Sequence, residues 1–266
     1  MTHFNPETLA AALMPKQIQL DSASLSLLLY IRHNRVQVSV FDPAKQGVVW
    51  GGVFETDPLQ SEWESVLEFI EARNWHRTIF GASAVVFDNA RGILTPRGLW
   101  TEALAHSIYK LECGMDLVRP NSVQIPEWDV VYTSESPQWI DTIRNLFPNA
   151  LFIPLDAMLL KYARIRADKE TAALTYSTGE SFRIILVREG RLLLNNQYSG
   201  TSPVDFLYYL RVAAAACSVE LDSLRVFFHS EKDFSFSEIG YYLPQEESWN
   251  SSGELFWEEI HRKCVS

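Results

Sequence analysis

The stretch that decides the fold is LSLLLYIRHNRVQVSVFDP, which spans residues 25–43. Residues 25–31 form a short apolar run, and residues 36–40 alternate between apolar and polar side chains with a period of two. The polar pair at residues 33–34 lies between these two segments. This order predicts a strand, a tight turn and a second, antiparallel strand.

The rest of the first half alternates between strand and helix signals. Apolar residues with a period of two, or in short unbroken runs, predict strands, and apolar residues three and four apart predict helices. The elements expected in chain order are a strand at 48–56 with a bulge or close approach at Gly51 and Gly52, a helix from Ser61, a strand at 78–87, a helix at 95–112 that opens on Thr95 and Pro96, a strand at 129–134, a helix at 137–147 and a strand at 150–154.

The second half repeats the order of the first. Its signals predict strands at 171–176, 182–188 and 191–198, a helix that begins at Ser202 with Pro203 in its first turn, and a strand at 225–229. Equivalent elements are separated by offsets of 143 to 147 residues, as Gly47 is from Gly190 and Arg35 is from Phe182. Residue identity between the halves is weak, so the repeat is one of element order.

This repeat predicts an α/β protein with a duplicated βββαβα arrangement, the actin-like (ribonuclease H-like) fold. Each subdomain has a mixed sheet in the order 3-2-1-4, and a cleft lies between the two subdomains. The expected boundaries are an N-terminal segment at 1–22, a first subdomain at 23–154, a connecting helix and turn at 155–170, and a second subdomain at 171–266.

Charge and cysteine content restrict the compartment and the partners. The chain has 33 acidic and 23 basic side chains, so its formal net charge of −10 disfavours nucleic acid as a partner. The sequence has neither a signal segment nor an apolar run of the roughly 18 residues that a membrane span requires. Cys113, Cys217 and Cys264 are odd in number and widely spaced, which favours free thiols. We therefore expect a cytoplasmic protein.

Three stretches of the sequence resemble an uncharacterised bacterial protein family of unknown function. They are LSLLLYIRHNRVQVSVFDP, NNQYSGTSPVDFLYYLRVAAAA and RVFFHSE, and the resemblance covers roughly residues 24–230. It implies an actin-like ATPase fold and a distant relationship to pilus-assembly actin-like proteins, sugar kinases and chaperone ATPases. Because its motifs are helix and strand patterns, the resemblance implies no particular activity.

ATP binding in that superfamily depends on one hairpin in each half. Each hairpin needs an acid for Mg²⁺ at the end of its first strand, followed by glycine and hydroxyl residues whose backbone approaches phosphate. The first hairpin has neither acid nor glycine at residues 30–35. The second has Ser177, Thr178 and Gly179 but lacks the acid, and it is either a candidate phosphate loop or a plain turn in which Gly179 has a positive φ.

Other candidate sites are weaker. The adenosine pocket of the superfamily uses a Gly-Gly pair, and residues 228–232 contain no glycine. Arg32 and Arg35 form either an anion site or a solvated basic turn. His261 and Cys264 are three residues apart, but a zinc site needs two more ligands, so no metal site and no catalytic residue are predicted.

The C-terminal region is rich in aromatic residues, which form either core or a contact surface for a protein. The leading hypothesis is a non-catalytic, degenerate actin-like protein that acts as a scaffold for an unidentified protein partner and needs no cofactor. The alternative is a divergent nucleotide-binding protein that holds ATP and Mg²⁺ in the cleft. The aromatic and large apolar residues concerned are Phe234, Phe236, Tyr241, Tyr242, Leu243, Trp249, Phe256 and Trp257.

Overall fold

The chain divides into two compact units, and the division falls between Met158 and Leu159. The computed structural model describes residues 22–32, 35–55, 67–68, 70–72, 75–88, 92–96, 99, 101–114, 121–125, 128–132, 137–230, 242–243, 246–248 and 260.

The first unit contains a five-stranded mixed sheet with the order β3-β2-β1-β4-β8. Strands β1, β2 and β3 pair antiparallel, whereas β4 pairs parallel with β1, and β8 pairs parallel with β4. The predicted order 3-2-1-4 is therefore confirmed for this sheet. The strands are β1 (Ser26–Arg32), β2 (Arg35–Asp42), β3 (Gly47–Glu55), β4 (Ala82–Phe87) and β8 (Leu151–Pro154).

The second unit contains a sheet of the same design, with the order β11-β10-β9-β12-β13. Its first three strands pair antiparallel, and β12 is parallel to β9. The predicted order is confirmed here as well, although the fifth strand, β13, was not predicted. The strands are β9 (Thr171–Ser177), β10 (Ser181–Arg188), β11 (Arg191–Ser199), β12 (Arg225–Ser230) and β13 (Glu246–Ser248).

The two sheets agree in strand length as well as in order. The first three strands and the parallel fourth have seven, eight, nine and six residues in both units. Each sheet also has a register shift between its second and third strands, at Val40/Phe41 in one unit and at Leu186/Val187 in the other. The close approach predicted at the Gly-Gly pair occurs at Gly51, where a Cβ would lie 2.9 Å from the carbonyl oxygen of Val38.

Among the described residues, four helices have defined bounds, and three of them agree with the prediction. They are α1 (Glu102–Cys113), α2 (Pro137–Leu146), α3 (Leu155–Arg166) and α4 (Pro203–Ala216). The expected cap of α4 is present, because the Oγ of Ser202 accepts a hydrogen bond from the backbone N–H of Asp205 at 3.1 Å. Residues 67–68 and 70–72 are also helical, whereas the predicted start of that helix at Ser61 lies outside the described residues.

The helix predicted at 95–112 is wrong at its start. Thr95 and Pro96 belong to a strand, and the helix α1 begins at Glu102 with Thr101 as its N-cap. Thr-Pro satisfies the chemistry of a helix start, but Thr95 is buried and pairs with a neighbouring strand instead. This pairing builds a three-stranded antiparallel sheet, which was not predicted, in the order β5-β7-β6, with β5 (Gly92–Pro96), β6 (Asn121–Ile125) and β7 (Trp128–Tyr132).

The predicted strand at 78–87 is also too long, since β4 begins only at Ala82. Residues Trp75–Arg77 form a 3₁₀ turn, in which the N–H of Thr78 donates to the carbonyl of Trp75 at 3.1 Å. The N–H of Gly81 then donates to the carbonyl of Leu25 at 2.9 Å and brings the chain into the sheet.

Each unit has its own apolar core. In the first unit, alternate residues of β1 and β2 pack with Trp75 and with Ile143 of α2. In the second, Phe206 of α4 packs between Phe182 and Phe228, with ring centroids 5.7 and 4.9 Å away. These contacts fix α4 to one face of the second sheet, and burial of such side chains stabilises the fold.

Candidate functional site

In each unit, a ligand-binding site is expected at the carboxyl ends of the parallel strands. Ligands of open α/β sheets bind beyond these ends, where loops meet. In the first unit they are the ends of β1 and β4, and in the second unit they are the ends of β9 and β12.

The first unit places a carboxylate at this edge. Asp88 follows β4 directly, and its N–H donates to the carbonyl of Ile31 at 3.1 Å. Its Oδ2 lies 3.6 Å from the Nε of Arg32, the last residue of β1, and accepts a hydrogen bond from the hydroxyl of Tyr30 at 3.4 Å. The side chains of Asp88 and Arg32 are 6% and 19% exposed. The edge therefore holds a largely buried ion pair.

The two arginines predicted as an anion site are neighbours across the hairpin. Arg32 and Arg35 are paired in the register of β1 and β2, and Arg35 is also paired with Glu55 in the register of β2 and β3. Of the two arginines, Arg32 forms the ion pair with Asp88 described above. An anion role for these two arginines stays a prediction, and the intervening residues 33–34 lie outside the described residues.

In the second unit, the turn between β9 and β10 uses its own backbone donors. The N–H of Thr178 donates to the carbonyl of Ser181 at 3.1 Å. The N–H of Gly179 donates to the Oγ of Ser177 at 3.2 Å, and the N–H of Glu180 donates to the Oγ1 of Thr178 at 3.4 Å. Gly179 has a φ of 82°, the left-handed conformation for which glycine is suited. The candidate phosphate loop therefore has the bonding of a closed hairpin turn.

The hydroxyl side chains of this hairpin are buried. Ser177 and Thr178 are buried, and the Oγ1 of Thr178 lies 3.3 Å from the Oγ of Ser181. Thr175 is 0% exposed, and its Oγ1 has no hydrogen-bond partner among the residues that the structure describes. A phosphate that approached these groups would first have to displace the atoms that cover them. Their role as cofactor ligands stays a prediction.

The end of β12, where the family resemblance implies a Gly-Gly pair for adenosine, carries an imidazole. His229 is buried and stacks on Tyr176 of β9 at a centroid distance of 5.3 Å. Ser230 ends the strand in register with Ser177. Glu231 and Lys232, the rest of the predicted adenosine segment, lie outside the described residues.

The N-terminus of α4 lies at the same edge, because β11 ends next to the start of β10. The Oδ2 of Asp205 accepts hydrogen bonds from the N–H groups of Thr201 and Ser202 at 3.2 and 3.1 Å. The hydroxyl of Ser202, which donates to the same oxygen at 2.8 Å, lowers the pKa of the Asp205 carboxyl below its usual value. A carboxylate of this chain therefore already compensates the positive end of the helix dipole.

Sequence reasoning missed Asp88. The signal was present, since an acid directly follows the buried strand ASAVVF, but the acid was sought at the end of β1. Within the described ranges, no group of three or more His, Cys, Asp or Glu side chains could hold a metal ion. None of the helices in those ranges is long and apolar enough to cross a membrane.

Only some of the residues predicted as free thiols or as an aromatic surface lie within the described residues. Cys217 is a free thiol, and burial raises its pKa, an effect that the charge of Arg188 partly offsets. Of the C-terminal aromatic region, Leu243 is buried in the core of the second unit and Tyr242 is exposed. The other residues predicted for that surface lie outside the described residues.

The order of strands in each unit is the one predicted for an actin-like ATPase fold, and a solved structure with this fold confirms the prediction. A Bacteroides thetaiotaomicron protein of unknown function with this fold matches at a TM-score of 0.74 and 13% identity, over 91% of this chain and 97% of its own. The cytoplasmic domain of EpsL, an inner-membrane component of the type II secretion system of Vibrio cholerae, matches at a TM-score of 0.50 and 15% identity, over 91% of this chain and 97% of its own. A chain of the PilM–PilN type IV pilus biogenesis complex matches at a TM-score of 0.42 and 13% identity, over 77% of this chain and 81% of its own.

The chain belongs to the family described as "Protein of unknown function (DUF3822)", whose model matches residues 15–244. This match confirms the resemblance to a family of unknown function, and the match to the Bacteroides thetaiotaomicron structure confirms the fold that the resemblance implied. No curated protein matches the sequence.

Proposed function

We propose that this protein is a non-catalytic member of the actin-like fold that acts in the cytoplasm by binding another protein. The observation that carries the proposal is the hydrogen bonding of the turn at residues 178–180. All three backbone N–H groups of the turn donate to acceptors within residues 177–181. A phosphate-binding loop instead keeps such groups directed at its ligand.

The energetic consequence can be estimated from those three bonds. Each intramolecular hydrogen bond contributes about 0.5–1.5 kcal/mol net, so freeing all three costs about 1.5–4.5 kcal/mol. At 1.4 kcal/mol per factor of ten, this cost weakens phosphate binding by about one to three orders of magnitude. At the upper end of this range, a site that would otherwise bind ATP at about micromolar concentration would bind it at about millimolar concentration.

The first unit supports the same conclusion. The carboxylate of Asp88 could in principle hold Mg²⁺ through water, since it is an oxygen ligand at the edge of the sheet. It lies instead 3.6 Å from Arg32, whose positive charge competes with a metal ion for the same oxygen. The net charge of −10 adds a field that repels a triphosphate.

A protein partner is supported by the similar structures. The EpsL domain, which shares the fold over 91% of this chain, is named as a component of a secretion system. A fold of this kind can therefore serve in a protein assembly.

The proposal is tested by titrating the protein with ATP in a calorimeter, with and without Mg²⁺. We expect no saturable heat up to about 1 mM ATP. Saturable binding at micromolar ATP would overturn the non-nucleotide proposal and favour the alternative, a divergent nucleotide-binding protein or ATPase.

The alternative rests on one specific observation, the left-handed glycine and buried hydroxyls of the second hairpin. It is tested with Gly179→Val, and Gly190→Val is a matched control. Both glycines have positive φ values, 82° and 72°, and both lie in turns of the second unit. Binding that is lost in Gly179→Val and kept in Gly190→Val would assign the nucleotide to the turn at residues 178–180.

We also infer that the two units arose by internal duplication. The shared strand lengths and the register shift at equivalent places support this inference, because neither is required by strand order alone. A duplicated scaffold can keep its framework while the ends of its strands lose their original chemistry.

A further inference from the structure

We draw no further inference here: the strongest candidate, the exposed apolar stripe of Val204, Tyr208 and Val212 on helix α4, carries none, because nothing in the described part of the chain shows what covers it.

Discussion

Replacing Asp88 by asparagine distinguishes a structural ion pair from a vacant ligand site. Asparagine has the same shape and can still accept the hydrogen bond from the Tyr30 hydroxyl, so the substitution removes little besides the charge. If the carboxylate serves the fold, its loss leaves the Arg32 guanidinium without its 3.6 Å partner and lowers stability. If it is kept for a ligand, its loss leaves stability unchanged or raises it, as is common for functional sites.

The expected loss of stability can be estimated from the distance between the two charged groups and from how deeply each is buried. Two unit charges 3.6 Å apart attract by about 4–5 kcal/mol at an effective dielectric constant of 20. Desolvation of both groups offsets part of that attraction, and Arg32 remains 19% exposed, so water screens it in the variant. We therefore expect Asp88→Asn to lower the free energy of unfolding by about 1–3 kcal/mol, below the 3–5 kcal/mol of a fully buried pair.

Urea denaturation of the wild type, Asp88→Asn, Arg32→Gln and the double variant provides the assay. Arg32→Gln should destabilise more than Asp88→Asn, because the carboxylate that it leaves behind is only 6% exposed. The double-mutant cycle should give a coupling free energy of about 1–3 kcal/mol. A coupling near zero, together with an Asp88→Asn variant as stable as the wild type, would refute the structural interpretation.

Three further predictions concern the second unit. Because the pKa of Asp205 is lowered in the folded state, the carboxylate stabilises the fold above the unfolded pKa of about 3.9, and this stabilisation is lost as the pH falls through the folded pKa. In urea titrations below pH 4, the difference in free energy of unfolding between the wild type and Asp205→Asn should therefore shrink. Phe206→Ala should lower the free energy of unfolding by about 3–5 kcal/mol, and Tyr208→Ala by far less. Cys217 should react with a disulfide reagent at neutral pH more slowly than a free thiol does, because burial raises its pKa, and the denatured protein should titrate three thiols.

The parts of the fold that the sequence predicted are those with strong local signals. The buried runs of β1 and β9 and the alternating residues of β2 allow few structures other than hairpins. Ser202 and Pro203 have cap chemistry that acts within one turn, so the start of α4 could be predicted to the residue.

The three-stranded sheet could not be predicted in the same way. Thr95 and Pro96 suit both a helix start and the end of a short strand, and only their partners in β7, Asp129 and Trp128, decide between the two. Those partners lie more than thirty residues away in the chain. The three polar residues of β13 have still less local signal, and their pairing with β12 alone makes them a strand.

The residue types of the candidate site could be predicted from the sequence, but the hydrogen bonds and ion pair that these residues form could not. Ser177, Thr178 and Gly179 have the composition of a phosphate loop. Composition does not reveal that the N–H groups of residues 178–180 already donate to the carbonyl of Ser181 and to the hydroxyls of Ser177 and Thr178. Asp88 lies at the end of β4, where an acid after a buried strand is a simple signal. Its pairing with Arg32 depends on the parallel register of β1 and β4, which is a tertiary property.

Strand length and the residue types at strand ends are constrained by different physical factors, and a comparison of the two units distinguishes these factors. Strand lengths and the register shift are set by packing against a core, where a change of one residue would turn every later side chain to the other face. They are the same in both units. The carboxyl ends carry no such constraint, and there Arg32 corresponds to Ser177 at the last position of the first strand. A site that needed matching phosphate ligands from both hairpins would oppose that divergence, whereas a framework without such a site would permit it.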